Sequence, residues 1–284
     1  MVRIWYALIQ RQMFPDTGHD RRHTPEPFSA NLLFYNIIDI GPRRIHVLMS
    51  EILEKNKEYA AVMKNVMKLR GEPVAVKLIR KGEAYPEGYT EPEGQMSHCQ
   101  AIFRAKEGGI FKLPLKSENC MVGCSALNMT ATPEKVASGE FHAGIGMHDS
   151  AAAAGKMISD RMVVPFECEG EVVCPLKDAD FVPDVVTIED IPERVYWIVP
   201  LATAEEGGRA QFSTSPFQCA CEDITAVPIC TGKPNISLGC FGCRKKTSMA
   251  ADEMAAGIPY AMIPGFVEHL KKYETGVMTK AKRD

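Results

Sequence analysis

Apolar residues at helical spacing open the readable part of the chain. Ile52, Leu53, Tyr59, Val62, Met63, Val66 and Leu69 recur on one face over roughly 50–70, with Ser50 as N-cap and Gly71 as the stop. Pro73–Ile79 then reads as a strand, and a polar loop rich in Pro and Gly follows over 81–95. Ser97 caps a helix over about 98–106, which puts Cys99 in its first turn. Strands are predicted over 109–115, 163–173, 185–188, 211–214 and 235–238. Helices are predicted from Thr132-Pro133, over 149–161 with Asp149 or Ser150 as cap, from Pro192 to Ala204, over 221–227 and over 262–274. Strands and helices interleave irregularly. The expectation is an α+β fold, a mixed sheet with flanking helices in a single compact domain.

Residues 1–48 share none of this order, and their two apolar runs have no clean period. They read as an N-terminal extension that is non-native or disordered, with the domain over 49–276 and a charged tail over 277–284. His19 and His23 stand at i, i+4 in that extension, where a surface role outweighs metal binding.

Composition narrows the class. The chain has 284 residues, 45% hydrophobic and 24% charged, which suits a globular protein with a sizeable core. Its formal net charge of −3 gives no overall field to attract nucleic acid or anionic membrane; Arg244-Lys245-Lys246 is a local exception. No apolar run is long enough to span a bilayer and no secretory signal is evident, so the expected location is the cytoplasm.

Cysteine changes the picture most. Seven of the ten fall at Cys99, Cys120-Met-Val-Gly-Cys124, Cys219-Ala-Cys221 and Cys240-Phe-Gly-Cys243. In a reducing compartment, clustered thiols bind metal or do redox chemistry more often than they form disulfides. Glycines beside two clusters let the backbone wrap a site tightly. Cys168, Cys174 and Cys230 stand alone and read as buried small hydrophobes. Cys240-Phe-Gly-Cys243 is one C-x2-C unit, but a structural zinc takes two, neither Cys120-x3-Cys124 nor Cys219-Ala-Cys221 has that spacing, and no ferredoxin run is present, so spacing leaves the metal open. Cys240 and Cys243 have the spacing of a redox dithiol, but the basic residues after them give no clear helix for the pair to head. Thr231-Gly-Lys-Pro-Asn lacks the rest of a phosphate loop, and Gly144-Ile-Gly146 is too short for a dinucleotide fingerprint. His98, His142 and His148 read as structural histidines, and Glu222 and Asp223 as helix-start carboxylates.

Five segments together resemble one family. They are Pro73-Val-Ala-Val-Lys-Leu, His98-Cys99-Gln100-Ala101, Ala179-Asp-Phe-Val-Pro-Asp-Val-Val186, Thr231-Gly-Lys-Pro-Asn-Ile-Ser-Leu-Gly-Cys240 and Asp252-Glu-Met-Ala-Ala-Gly-Ile-Pro259. In this order, over about 55–272, they resemble the DUF169 family of bacteria and archaea, whose function is uncharacterised. The resemblance implies that cysteines matching Cys99, Cys120, Cys221 and Cys240 recur, forming a four-thiolate set. Cys124, Cys219 and Cys243 are then additions in this chain, and many relatives carry Ser at the position of Cys243. The combined expectation is an iron–sulfur protein of an anaerobic prokaryote. Cys99, Cys120, Cys221 and Cys240 hold a cluster, 4Fe-4S first, with Cys124, Cys219 and Cys243 as second choices. Its work is electron transfer or redox chemistry, with a small electron carrier or redox enzyme as partner. The alternatives are a structural-zinc binding module and a metal-free dithiol oxidoreductase.

Overall fold

The computed structural model describes residues 42–274, with side chains from Val47 to Tyr273. The chain divides into two units, residues 1–51 and 52–284. Apart from 42–48, the expected extension lies outside the described residues, as do His19, His23 and the tail over 277–284. Helix α1 spans Pro42–Met67 and starts with proline, whose fixed φ suits the first helical position. Ser50 therefore lies inside the helix rather than at its cap. The helix stops where Lys68 turns left-handed at φ 56°, three residues ahead of Gly71.

Six strands follow: β1 Val74–Arg80, β2 Phe111–Pro114, β3 Cys168–Pro175, β4 Val185–Asp190, β5 Asn235–Ser237 and β6 Met254–Pro259. They form one sheet in the order β2-β3-β1-β4-β6-β5. Every neighbouring pair is antiparallel, which corrects the expected mixed sheet. The reason is that β1 lies between β3 and β4. The two flanking strands share a direction but never touch, so no parallel ladder arises.

The sheet is covered on both faces, and strand alternation sorts the residues between them. Val74, Val76 and Leu78 of β1 face one core, and Ala75 and Ile79 face the other. On the second face lie Ala60, Met63 and Met67 of α1, with Ile263, Phe266, Val267 and Leu270 of α11 (Ile263–Glu274). The first face carries the clustered cysteines.

Several boundaries differ from the sequence pattern for identifiable reasons. The strand expected from Val163 starts only at Cys168, since Pro165 cannot donate to a ladder. The helix expected over 192–204 is two short pieces, α7 Pro192–Val195 and α8 Ile198–Ala202. Pro200 removes the bond to the carbonyl of Tyr196 and breaks it there. No strand forms over 211–214. The Ser213 N–H donates to Asn235 Oδ1 and the Ser213 carbonyl accepts from Asn235 Nδ2, so its hydrogen bonds go to a side chain. Strand β6 was not foreseen, because Met-Ala-Ala-Gly-Ile-Pro has little strand propensity. Its small residues serve packing instead: a Cβ at Gly257 would collide with the Ile224 carbonyl of a π-helical segment, Glu222–Ala226.

Candidate functional site

Four local structures deliver the thiols. Helix α2, His98–Ala105, begins with a full capping box between Ser97 and Gln100, and Cys99 lies buried in its first turn. Helix α3, Met121–Ala126, is capped by Cys120 itself, whose sulfur accepts from the Gly123 N–H at 3.4 Å. Cys219 and Cys221 are buried just before the π-helical segment. Helix α10, Phe241–Lys246, is capped by Cys240, whose sulfur accepts from the Cys243 N–H at 3.4 Å. The absence of a helix expected after Cys243 is thus corrected. Arg244, Lys245 and Lys246 fall in its last turn, where cations favour a helix.

These elements bring six sulfurs together as two trios. In one, Cys240 Sγ lies 3.4 Å from Cys243 Sγ, and Cys243 also hydrogen-bonds Cys99. In the other, Cys221 hydrogen-bonds Cys219 and interacts with Cys120. A Cβ on Gly123 would lie 2.7 Å from Cys221 Sγ and 3.5 Å from Cys120 Sγ, so glycine there allows the two thiols to approach. The trios meet at Cys99, whose charge is felt by both Cys120 and Cys221.

Hydrogen bonding and burial divide the protons unequally. The close contacts with Cys240, then Cys99, raise the Cys243 thiol. The same interaction with Cys243, ahead of the opposing burial, lowers Cys99 and brings Cys240 down to about 6. Burial, then the neighbouring Cys219, pushes Cys120 up to about 12. The bond to Cys219, then burial, holds Cys221 well above the usual thiol range.

Cys124 stands apart from this constellation. Burial raises it to about 12, and the charges acting on it are Glu118 and Glu171, with no thiol among them. Cys168, Cys174 and Cys230 are separate as well. Cys168 and Cys230 bond to the carbonyls of Phe166 and Val163, and Cys174 points to Tyr89 on the other face of the sheet. Among the described residues, no group of three His, Cys, Asp or Glu side chains already stands in the arrangement of a metal-ion site.

Behind the thiols lies a buried polar lattice that the sequence reading missed. His98 Nδ1 lies 2.5 Å from Glu171 Oε2, and Nε2 lies 2.8 Å from Thr225 Oγ1. Both His98 and Glu171 are fully buried. Glu118 accepts from three backbone N–H groups, those of His98 at 2.7 Å, Asn119 at 2.8 Å and Cys120 at 3.0 Å. It therefore fixes the two cysteine-bearing turns against each other. Burial, then the nearby Glu171, raises its carboxyl to about 6. One signal was available in the sequence: Glu171, the last of three alternating acids after Glu167 and Glu169, stands directly against the apolar run Val172-Val173-Cys174. His98 is a hydrogen-bonded structural histidine, as expected. His142 is buried with neither ring nitrogen partnered, edge-on to Phe217 at 4.7 Å between ring centroids. His148 Nε2 lies 3.4 Å from Met157 Sδ. Glu222 and Asp223 are not exposed helix-start acids but buried ones, raised chiefly by burial to about 7 and about 8.

No helix among the described residues is long and apolar enough to cross a membrane. The chain is similar to an uncharacterised protein, MJ0308, of Methanocaldococcus jannaschii. The two are 28% identical over 219 residues, which cover 76% of this chain and 94% of the relative. No solved structure matches. The family model DUF169, described as uncharacterised ArCR, matches residues 62–269, which hold all ten cysteines, and the chain belongs to that family.

Proposed function

We propose that this protein holds an iron–sulfur cluster, 4Fe-4S first, on Cys99, Cys120, Cys221 and Cys240, and works as a one-electron redox component in the cytoplasm of an anaerobic prokaryote. The observation that carries the reading is the convergence of six sulfurs from four distant chain segments on one face of the sheet. A cubane takes one protein thiolate per iron. Cys240 with Cys243, and Cys219 with Cys221, are close pairs, so one thiolate from each pair would join Cys99 and Cys120; that Cys240 and Cys221 are those two is what the family resemblance implies. Backbone N–H groups already aimed at the Cys120 and Cys240 sulfurs are the kind of donor that tunes a cluster's potential. When bound, the cluster would supply reversible one-electron transfer. The chain's own part is to shield it with apolar packing and to release the thiol protons as the ligands bind.

A metal-free dithiol oxidoreductase is the second reading, favoured by the 3.4 Å Cys240–Cys243 pair and the lowered Cys240 thiol at the start of α10. Anaerobic reconstitution with iron and sulfide, followed by dithionite, separates the two. The cluster reading expects a brown protein that bleaches on reduction and recovers on reoxidation. A colourless protein whose Cys240 and Cys243 cycle between dithiol and disulfide contradicts it. A colourless protein that retains zinc contradicts it equally and leaves a structural-zinc binding module.

A further inference from the structure

We infer that Leu238, Phe241, Lys245 and Lys246, beside the exposed edge of Cys240, form the docking face for a small acidic electron-carrier protein. The inference rests on the redox reading above and adds the partner's chemistry and its place of contact.

Of the six converging thiols, four are buried, and only Cys120 and Cys240 are partly open to solvent. Each of those two caps a short helix whose first residue is a large apolar side chain turned outward. Met121 follows Cys120 and is 55% exposed; Phe241 follows Cys240 and is 72% exposed. Leu238, two residues before Cys240, is 54% exposed. These side chains add little to the chain's own core. They stand where an electron would enter or leave by the shortest path.

Charge selects the partner. Arg244 is not part of the face, since its guanidinium binds the carbonyls of Leu238, Ala250 and Glu253 and braces the loop. Lys245 holds its ammonium 5.1 Å from the Phe241 ring centroid, and Lys246 is exposed beside it. Among the described residues, neither ammonium forms an ion pair with a carboxylate. An apolar centre rimmed by unpaired cations, on a chain of net charge −3, is complementary to an acidic surface with an apolar centre. In the transfer itself, the reduced carrier gives one electron to the centre held by the thiols, and no bond or proton moves with it.

The test uses the whole protein, prepared without oxygen, titrated at low salt with an acidic bacterial-type ferredoxin and followed by calorimetry. Saturable binding is expected. It should weaken by roughly tenfold or more in Phe241→Ser and in Lys245→Glu/Lys246→Glu, and fall as salt rises. Leu238→Ser serves as a second apolar variant, and circular dichroism checks that each variant is folded. Equal affinity in all variants overturns the proposal. So does a lysine-dependent affinity for single-stranded RNA or for phosphatidylglycerol vesicles with none for the ferredoxin. Visible absorption is read on the same samples. A chromophore together with variant-indifferent binding contradicts the docking face alone. Variant-sensitive binding by a colourless protein supports the face and contradicts the cluster.

Discussion

Cys240 Sγ and Cys243 Sγ stand 3.4 Å apart at the start of α10, and the Cys243 N–H also points at the Cys240 sulfur. The protons of the pair are divided unequally: Cys243 keeps its own and Cys240 is lowered to about 6. In the metal-free protein at pH 7, Cys240 is therefore mainly thiolate, the nucleophilic form. Peptide mapping after brief iodoacetamide treatment should find Cys240 modified well before Cys230, a partly exposed thiol that burial raises. Below pH 6 the rate at Cys240 should fall about tenfold per unit. Equal labelling of the two would remove the basis for treating Cys240 as the activated thiol.

Gly123 is where the backbone of α3 makes room for the thiols. A methyl group there meets Cys221 Sγ at 2.7 Å, and the sulfur must move. Gly123→Ala should cost about 1–3 kcal/mol and reduce iron retention after reconstitution. Gly144→Ala is the control, since a Cβ there meets nothing within 4 Å. Iron-to-protein ratios after desalting make the comparison; equal ratios in the two variants count against the packing described for Cys120 and Cys221.

The His98–Glu171 pair has no solvent to replace either partner. Removing one leaves the other buried without its partner, at a cost of about 3–5 kcal/mol. Glu171→Leu should lower the urea midpoint accordingly, and His98→Leu/Glu171→Leu should recover part of the loss. A single variant as stable as the parent would mean that the pair does not hold α2 to β3.

Glu189 gives the fold a pH dependence away from the thiols. Burial, against the attraction of Lys106 at 3.1 Å, raises its carboxyl from 4.5 to about 8. Between those values the folded chain holds a proton that the unfolded chain lacks, so stability falls as pH rises from about 4.5 to 8. Glu222 and Asp223, raised to about 7 and about 8, act in the same direction. Cys240, lowered from 9.0 to about 6, acts oppositely and adds stability between those two values. Glu118, raised to about 6, joins the carboxyls and Cys99, also lowered, joins Cys240; with four carboxyls against two thiols, the melting temperature of the metal-free protein should decline from pH 5 to pH 8. Glu189→Gln should flatten the decline, and a parallel curve for that variant would contradict the assignment.

Local chemistry was legible in the sequence and long-range partnership was not. Ser97 announces the start of α2 because an N-cap involves only a few consecutive residues, and the structure adds Gln100 as its capping-box partner. β1 and the start of β4 follow from their apolar runs, to within a residue, but β4 continues past the expected 188 through the buried acids Glu189 and Asp190. By contrast, β6 is readable only when Ile224 is known to press on Gly257. Cysteine spacing suggested that Cys120 and Cys124 act together, yet Cys120 caps α3 and faces the thiols while Cys124, a turn later, faces Glu118 and Glu171. The basic run after Cys243 seemed to argue against a helix, but as a last turn it favours one. Glu118 joins the cysteine-bearing turns through backbone N–H groups, which no residue spacing records.

The most direct measurement is the iron and acid-labile sulfide content of the protein purified without oxygen. The account expects about four of each per chain, with little zinc. Both should be lost in Cys221→Ser and Cys240→Ser and retained in Cys124→Ser, Cys168→Ser and Cys230→Ser. Zinc in place of iron, or no metal with all ten thiols free to titrate, would contradict it.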